Sequence, residues 1–296
     1  MNQLDVTTII LTFNEELHIH RCVENAFRVS KEVIVVDSFS ADRTCEIAQE
    51  MGAKVVQHEF VNQAQQFQWA LDNCTVNTEW TLRLDADEYL TDELIDELSE
   101  KLQTLPDDVT GCYLPRRVVF MGKQLKHGLL HKIRLLRLWR TGCVYMEQRW
   151  MDEHCVLTRG TSICMKNLFL DHNLKGLTDF TKRHNDYSSR EAFVELNRRY
   201  TLVEENTELS SRNSQKSFYY KLPRFLRAYL YFFARYVLFL GFLDGRRGFI
   251  WLKLQAYWYR LLVDSKLYEM EKKLGKHPSK EEVKEYVQKY WGIVIN

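Results

Sequence analysis

Three carboxylates, Asp85, Asp87 and Glu88, fall within four positions directly behind an apolar run in the stretch LRLDADEYLTDELIDEL. Mutual repulsion among such close acids raises their pKa values and costs folding stability, so the crowding needs a reason. One reason is that a strand ends there and a solvated acidic helix begins. The other is that a hard divalent cation lies among the acids, held by carboxylate oxygens, with coordination positions left for phosphate oxygens.

Polar residues also follow two earlier apolar runs. Thr12 and Asn14 come after the first run, and Asp37 and Ser38 come after the second. If these runs are parallel strands, the polar side chains and the acids meet at the carboxyl edge of one sheet, where open α/β sheets bind ligands. The first strand is not followed by G-x-G-x-x-G, and G-x-x-x-x-G-K-[ST] occurs nowhere in the sequence, which disfavours dinucleotide and P-loop sites.

The elements that must position these residues alternate between strand and helix patterns. β-Branched runs at 7–13 and 33–36, together with AKVVQHEF and EWTLRLDAD, predict strands, and the segments between them have helical spacing. This alternation predicts an α/β fold with a mostly parallel sheet and helices on both faces. From about Gly111 the pattern changes to extended, partly antiparallel segments, and 177–208 is again helical.

Bulk composition narrows the class of protein. The 296-residue chain is 45% hydrophobic, enough for a sizeable core, and its net charge of +1 shows no bias toward nucleic acid. Seven cysteines, odd in number and without a CxxC pair, favour reduced thiols in the cytosol over a disulfide framework or a zinc site. The chain enters a strand-like run almost at once, so a secretory signal is not expected.

Charge is unevenly distributed along the chain. Val61 to Thr110 contains twelve acidic and two basic residues, whereas Arg212 to Arg260 contains ten basic residues and one acid. Residues 218–263 also hold sixteen of the 38 aromatic residues. On a helix, Arg224, Arg227 and Arg235 would fall within an arc of about 80°. The pattern predicts a helix lying in the interface of an anionic membrane without crossing it, and the alternative is a buried hairpin packed on the main domain.

Three stretches, TTIILTFNEELHIHRCVENAF, EVIVVDSFSADRTCEIAQEMGAKVV and WTLRLDADEYLTDEL, resemble the nucleotide-sugar half of family 2 glycosyltransferases, which are inverting enzymes with the GT-A fold. LRLWRTG, DEH, LDHNLKGLTDFTKRHNDYSSREA and GFLDGRRGF are similar to the bacterial lipopolysaccharide-core, glucosyltransferase-like subgroup. The resemblance covers roughly 5–262. It implies a GT-A domain at 1–210, with a nucleotide-sugar half to about 110 and an acceptor half from 111. The aromatic and basic composition predicts a helical, membrane-associating extension at 211–296.

The resemblance also implies roles for single residues in donor binding. Thr12, Asn14 and Glu15 would line the nucleotide pocket, and Asp37 would accept a hydrogen bond from the base. Asp85 and Asp87 would form the DxD pair, touching the ribose and the metal-bound diphosphate. His172 would lie near the metal or the diphosphate, and Arg137 would either hold the diphosphate or pair with acids.

The same resemblance assigns catalysis to a short acidic segment. Asp152 or Glu153 matches the general base, and Glu153 is favoured because the family places a Glu before its short downstream strand.

The chain departs from the family pattern at one place that bears on diphosphate binding. Relatives tend to have Gln followed by a basic residue and Asn, where this chain has Gln66-Phe67-Gln68. One diphosphate contact is therefore missing or comes from elsewhere.

The function implied is transfer of a sugar from a nucleotide sugar, specifically a UDP-sugar, to a glycolipid or lipopolysaccharide-core-type acceptor, with Mn²⁺ or Mg²⁺ as cofactor. Cysteine usage, net charge and the basic, aromatic segment at 218–263 together predict a cytoplasmic protein, peripheral on the inner face of the cell membrane, without a nucleic-acid partner. Two alternatives stay open. One is transfer to a polyprenyl phosphate, which needs no general base, and the other is a non-catalytic, membrane-attached protein with the same fold.

Overall fold

The computed structural model of the protein describes residues 3–147, 154–203, 219–275 and 277–293. The described residues divide into two units. The first consists of 3–126, 130–147 and 154–174, and the second of 127–129 together with 175 onward. The boundary expected at 210 lies outside the described residues and stays a prediction. Asp152 and Glu153, the candidates for the general base, lie outside the described residues.

The first unit is organised by β-strands. They are β1 (Leu4–Thr12), β2 (Ser30–Asp37), β3 (Lys54–Gln57), β4 (Trp80–Asp85), β5 (Glu88–Leu90), β6 (Val109–Phe120), β7 (Lys123–Gln124), β8 (Arg134–Arg140), β9 (Val144–Met146), β10 (Cys155–Leu157), β11 (Thr161–Cys164) and β12 (Phe169–Asp171). The main sheet has the order β3-β2-β1-β4-β8-β6-β12-β5, with β7 and β11 also paired to β6, while β9 and β10 form a separate pair.

Strands β3, β2, β1 and β4 are parallel neighbours, and the antiparallel strand β8 joins them to β6. Strands β1, β2 and β4 end together, because Thr12 pairs with Asp37 and Leu11 pairs with Asp85. The polar residues expected at one carboxyl edge therefore do meet there. The predicted α/β fold class is confirmed.

Helices cover both faces of this sheet. They are α1 (Ile19–Phe27), α2 (Thr44–Glu50), α3 (Gln63–Asn73) and α4 (Asp92–Lys101). Helix α1 buries Ile19, Cys22, Val23 and Ala26, one apolar face at helical spacing, in the same core as residues of α4. Helix α3 buries Phe67 in a separate core on the opposite face of the sheet. The sheet interior is thus shielded from water on both sides.

The acidic stretch contains both a turn and a helix. Helix α4 begins at Asp92, where the Thr91 side chain accepts a hydrogen bond from the Leu94 amide as its N-cap. The three crowded carboxylates come earlier: Asp85 ends β4 and Glu88 begins β5. An acidic helix is therefore present, but it does not account for the crowding.

The second unit is helical in its described part. It contains α5 (Gly176–Tyr200), α6 (Leu226–Phe233), α7 (Gly245–Leu252), α8 (Tyr259–Leu274) and α9 (Lys280–Trp291). Helix α6 continues into a π-helical turn at Ala234–Leu238, a 3₁₀ turn follows at Gly241–Asp244, and a second π-helical turn at Lys253–Trp258 joins α7 to α8. Helices α5, α8 and α9 share a core that includes Phe193, Leu267 and Val287.

The arginines expected to face a membrane lie inside this unit. Arg227 is 1% exposed and donates to Asp264 Oδ1 through Nε at 2.8 Å and to Glu195 Oε2 through Nη2 at 2.8 Å. Arg224 forms a bidentate ion pair with Glu271, through Nη1 to Oε2 at 2.6 Å and through Nη2 to Oε1 at 2.7 Å. Arg235 is buried and donates to the Gly128 carbonyl at 2.7 Å. The predicted lipid-facing arginine stripe is therefore wrong, because acids and a carbonyl of the same unit already hold these guanidinium groups.

The helices of the second unit include long apolar stretches. Within the described ranges, no single helix is long and apolar enough to cross a bilayer. Leu226–Leu238 and Gly241–Leu274 reach the necessary length and composition only together, as a pair bent by 72°.

Candidate donor site at the carboxyl edge of the sheet

A buried arginine on β8, the strand beside β4 in the sheet, holds Asp85 at the end of β4. Arg137, on β8, donates through Nη2 to Asp85 Oδ2 at 2.9 Å and to Glu88 Oε1 at 2.6 Å. The other Glu88 oxygen accepts the Asp85 amide at 2.9 Å. Burial opposes ionisation of Asp85, but Arg137 and Arg83 outweigh it and lower its pKa to about 2. Two of the three crowded carboxylates therefore share a guanidinium.

This pairing bears on both roles considered for Arg137. The hydrogen bonds described for it are with acids, which is one of the two alternatives, while a contact with a diphosphate stays a prediction. The pairing also changes the explanation of the crowding. A metal was expected to offset the repulsion, yet for Asp85 and Glu88 the arginine supplies positive charge from within the chain.

Asp87 has a different environment. Its Oδ2 accepts a hydrogen bond from Asn173 Nδ2 at 2.8 Å. The antiparallel pairing of β5 with β12 sets Asp171 opposite Glu88. Burial, followed by repulsion from Asp87, raises the pKa of Asp171 to about 6, although Arg116 lies 3.4 Å from its carboxylate. Asp87 and Asp171 therefore lie close enough for their charges to repel each other, and two neighbouring carboxylates are one element of a cation site.

His172 is fixed beside Asp87 by Arg21 of α1. The His172 amide donates to the Asp87 carbonyl at 2.9 Å, and Arg21 Nη2 donates to the His172 carbonyl at 2.8 Å. Arg21 Nη1 lies 3.2 Å from His172 Nδ1. Because a guanidinium only donates, Nδ1 accepts and Nε2 carries the proton of the neutral ring. Burial and Arg21 lower the pKa of His172, which favours that neutral form.

The protonated Nε2 affects the role expected for His172. In this tautomer Nε2 can donate a hydrogen bond to a phosphate oxygen, whereas coordination of a metal through Nε2 would require the proton to move to Nδ1. The described arrangement therefore favours a diphosphate contact over a metal contact. Both roles stay predictions.

Two residues of this edge were not found from the sequence, His18 and Arg21. His18 is completely buried, and its Nε2 accepts the Leu174 amide at 2.8 Å while Nδ1 lies 2.6 Å from Glu15 Oε2. Since Nε2 accepts, Nδ1 carries the proton that Glu15 accepts. His18 thereby ties the loop after β1 to the chain after β12. The sequence offers one signal for His18, its position two residues after Asn14-Glu15-Glu16. Its hydrogen-bond partner Leu174, however, lies 156 residues away in the sequence.

Thr12 and Asp37 form a tightly bonded group at the ends of β1 and β2. Asp37 is fully buried and accepts hydrogen bonds from Thr12 Oγ1 at 3.0 Å, the Ser40 amide at 2.8 Å and Gln57 Nε2 at 3.2 Å. Burial acts to raise the pKa of Asp37, but the bonds from Ser40 and Gln57 lower it overall. In the described arrangement Asp37 organises the pocket wall, and its contact with a nucleotide base stays a prediction.

Asn14 and Glu15 hold the facing loop. Asn14 adopts a left-handed backbone with φ of 53°, which asparagine tolerates better than most residues. Its side-chain oxygen accepts the Ala41 amide at 2.8 Å, and its own amide donates to Ser40 Oγ at 2.7 Å. The Glu15 amide donates to Thr44 Oγ1 at 2.7 Å. The predicted pocket residues after β1 and β2 are thus brought together as one hydrogen-bonded loop pair.

The departure at Gln66-Phe67-Gln68 has a structural counterpart. Gln66 is buried and donates to Ser38 Oγ at 3.2 Å and to the His58 carbonyl at 3.1 Å. The fully buried ring of Phe67 lies under the guanidinium of Arg83, at 4.8 Å. Arg83 Nη2 is 3.6 Å from Asp85 Oδ1. A basic group is therefore present next to the DxD pair, although it comes from β4 rather than from the position after Gln66.

The fit of a divalent metal can be judged from these side chains. No group of three or more His, Cys, Asp or Glu arranged to hold a metal is found among the residues that the structure describes. Mg²⁺ often binds through one or two carboxylates plus substrate phosphates, so a protein cage is not required. Asp87, which lies near the acidic side chain of Asp171, supplies one such carboxylate. The residues present fit a metal that binds together with a diphosphate.

The chain is similar to known glycosyltransferases. Residues 7–171 match the model of the family described as glycosyl transferase family 2. An uncharacterized glycosyltransferase of Rickettsia typhi is 40% identical over 93 residues, 31% of each chain. The lipopolysaccharide core biosynthesis glycosyltransferase LpsC of Rhizobium meliloti is 30% identical over 145 residues, 47% of this chain and 52% of that one. The matched regions span about a third to a half of these relatives.

Among solved structures, TarS 1–349 of S. aureus in complex with UDP-GlcNAc is 13% identical, with 92% of both chains covered and a TM-score of 0.45. Glucosyl-3-phosphoglycerate synthase of Mycobacterium tuberculosis, solved with Mn²⁺ and UDP, is 19% identical over 39% of this chain and 45% of that chain, with a TM-score of 0.33. Likenesses this distant assign neither a substrate nor a residue.

Proposed function

The chain belongs to glycosyl transferase family 2, and on that premise we propose that it transfers a sugar from a UDP-sugar to a lipopolysaccharide-core-type glycolipid at the inner face of the cell membrane. The observation that carries the proposal is the placement of Asp87, near Asp171 and bonded to Asn173, just beyond the edge where β1, β2 and β4 end. The name of LpsC supports the choice of acceptor. Because that acceptor is anchored in lipid, the enzyme works as a peripheral membrane protein.

The chemistry proposed is a single displacement. The acceptor hydroxyl oxygen attacks the anomeric carbon, the bond from that carbon to the diphosphate breaks, and a carboxylate takes the hydroxyl proton. A bound Mn²⁺ or Mg²⁺ supplies positive charge to the departing diphosphate. Asp87 would hold that ion, while Asp85 and the loop of Thr12, Asn14 and Asp37 position the nucleoside.

A screen of nucleotide sugars tests this proposal. Purified protein should slowly hydrolyse one of UDP-glucose, UDP-galactose or UDP-N-acetylglucosamine in the presence of Mn²⁺, and excess EDTA should suppress the reaction. Calorimetry should show that UDP binds more tightly with Mn²⁺ than without it. Absence of both hydrolysis and UDP binding, with any divalent metal, would instead support a non-catalytic protein with this fold.

The general base is tested by a pair of isosteric variants. Glu153→Gln should lower the turnover number about 10²–10⁴-fold, the usual range for loss of a general base, and leave UDP affinity unchanged. Asp152→Asn is the matched control and should retain activity. If only Asp152→Asn is inactive, the assignment is wrong by one position. If both variants remain active, the acceptor is already ionised, as a polyprenyl phosphate would be.

A further inference from the structure

Helix α6 and the π-helical turn after it have an inverted distribution of polarity. Their inward face carries Arg227 and Arg235, which are 1% and 7% exposed and bonded within the second unit. Their outward face carries large apolar side chains, including Tyr229 and Phe233 at 54% and Leu238 at 66% exposure. A helix of a water-soluble domain normally turns its apolar face inward. The outward face of this segment therefore needs a covering.

The exposed apolar surface continues past the helix. Phe239, Leu240, Phe242 and Leu243, in and before the 3₁₀ turn, are 40–52% exposed. We refer to the exposed apolar side chains between Leu226 and Leu243 as the 226–243 surface. Single exposed hydrophobic residues are ordinary, but a contiguous group of this kind marks an interaction site.

The segment that carries this surface also carries exposed arginines. Arg246 and Arg247, in the first turn of α7, are both exposed. The single acid between Lys221 and Arg260 is Asp244, which is 4% exposed and accepts hydrogen bonds from the His127 amide and Nδ1, each at 2.9 Å. The turn that presents the arginines is tightly packed, because a Cβ on Gly248 would lie 2.4 Å from the Asp244 Cβ. Within the stretch from Lys221 to Arg260, the accessible charge is therefore positive.

These observations favour one kind of partner. Hydrocarbon side chains beside exposed arginines, without an accessible acid in the same stretch, are complementary to a surface that is apolar inside and anionic outside. The bend of 72° prevents α6 and the following helices from forming one straight span. We propose that the 226–243 surface inserts into the acyl region of an anionic phospholipid bilayer without crossing it, while Arg246 and Arg247 bind lipid headgroups.

Flotation with phospholipid vesicles tests this surface in the full chain. The protein should float with phosphatidylglycerol-containing vesicles and much less with phosphatidylcholine alone. Raising the salt from about 0.1 M to about 1 M, which shortens the Debye length from about 10 Å to about 3 Å, should weaken binding. Arg246→Glu with Arg247→Glu should reduce binding to anionic vesicles about tenfold or more. Phe233→Ser with Leu238→Ser should abolish it.

Matched controls separate the surface from general effects of charge and hydrophobicity. Lys280→Glu with Lys289→Glu makes the same charge change on α9, and Val61→Ser removes an apolar side chain that is 64% exposed in the first unit. Both controls should bind as the unchanged protein does. Binding that is equal for all variants would overturn the proposal. So would a dimer in sedimentation that is disrupted by Phe233→Ser with Leu238→Ser while vesicles are ignored.

The vesicle test is independent of the transferase proposal. Hydrolysis of a donor sugar in detergent depends on the first unit and should be unchanged by the substitutions at 233, 238, 246 and 247. Loss of vesicle binding with retained hydrolysis supports the surface and leaves the reaction intact. Vesicle binding without any hydrolysis would contradict the proposed reaction alone.

Discussion

Replacing Asp87 by alanine is expected to abolish sugar transfer while leaving the melting temperature nearly unchanged. The carboxylate lies at the carboxyl edge of the sheet, where it accepts one hydrogen bond from Asn173 and repels Asp171. Its removal costs that hydrogen bond but relieves the repulsion, so the two effects on folding stability oppose each other. The loss of donor binding is not compensated in this way, because Asp87 is the carboxylate proposed to hold the metal ion that binds the diphosphate.

Transfer assays, calorimetry with UDP and Mn²⁺, and thermal melts of the same variant check this expectation. Asp96→Ala is the matched control, since Asp96 is an exposed acid of the same segment on α4 and should be dispensable. Asp87→Asn should also be inactive, although the amide oxygen can keep the bond from Asn173. Full activity of Asp87→Ala, or of the unchanged protein in excess EDTA, would refute the metal role.

Replacing Arg137 by methionine is expected to lower the free energy of unfolding by about 3–5 kcal/mol, the usual cost of removing one partner from a buried ion pair, and to eliminate transfer. Arg137 is 4% exposed, and its Nη2 lies within 2.9 Å of Asp85 and 2.6 Å of Glu88. Methionine keeps much of the side-chain length but leaves two buried acids without their main cation. Asp85 would also lose the contact that positions it.

Urea denaturation of three variants measures this effect. Arg134→Met, an exposed position on the same strand, should change the stability by no more than about 0.5 kcal/mol. Burial already raises the pKa of Glu88 to about 8, so this acid is the one more readily replaced by a neutral group. Adding Glu88→Gln to Arg137→Met should therefore recover part of the loss, because an amide never ionises. If Arg137→Met proves as stable as Arg134→Met, the pair does not hold this edge together.

The sheet, and the meeting of Thr12, Asp37 and Asp85 at its carboxyl edge, could be predicted because local pattern determines them. Buried parallel strands such as β1 and β2 read as continuous apolar runs, and the polar residue that ends each run marks the carboxyl edge. Thr12, Asp37 and Asp85 were found in this way, and β-pairing places them as expected. The family resemblance then supplied their roles, which remain predictions.

The partners of these residues could not be predicted, because they depend on contacts between distant parts of the chain. Arg137 reaches Asp85 across 52 positions and His18 reaches Leu174 across 156. The arginines of α6 illustrate a second limit. Helical periodicity places Arg227 and Arg235 on one face, but it cannot show whether that face points inward. Hydropathy alone predicts that the arginine face of α6 points outward. It points inward because Glu195 of α5 and Asp264 of α8 form ion pairs with Arg227.

The two π-helical turns have a consequence for insertions and deletions during evolution. Each π-helical turn closes its hydrogen bonds over one residue more than an α-helical turn. A one-residue deletion at 234–238 or 253–258 can therefore be absorbed as plain α-helix, with the faces before and after it still in register. The same deletion elsewhere in these helices would rotate all later side chains by about 100°. Single-residue length differences among homologues should thus collect at these two turns.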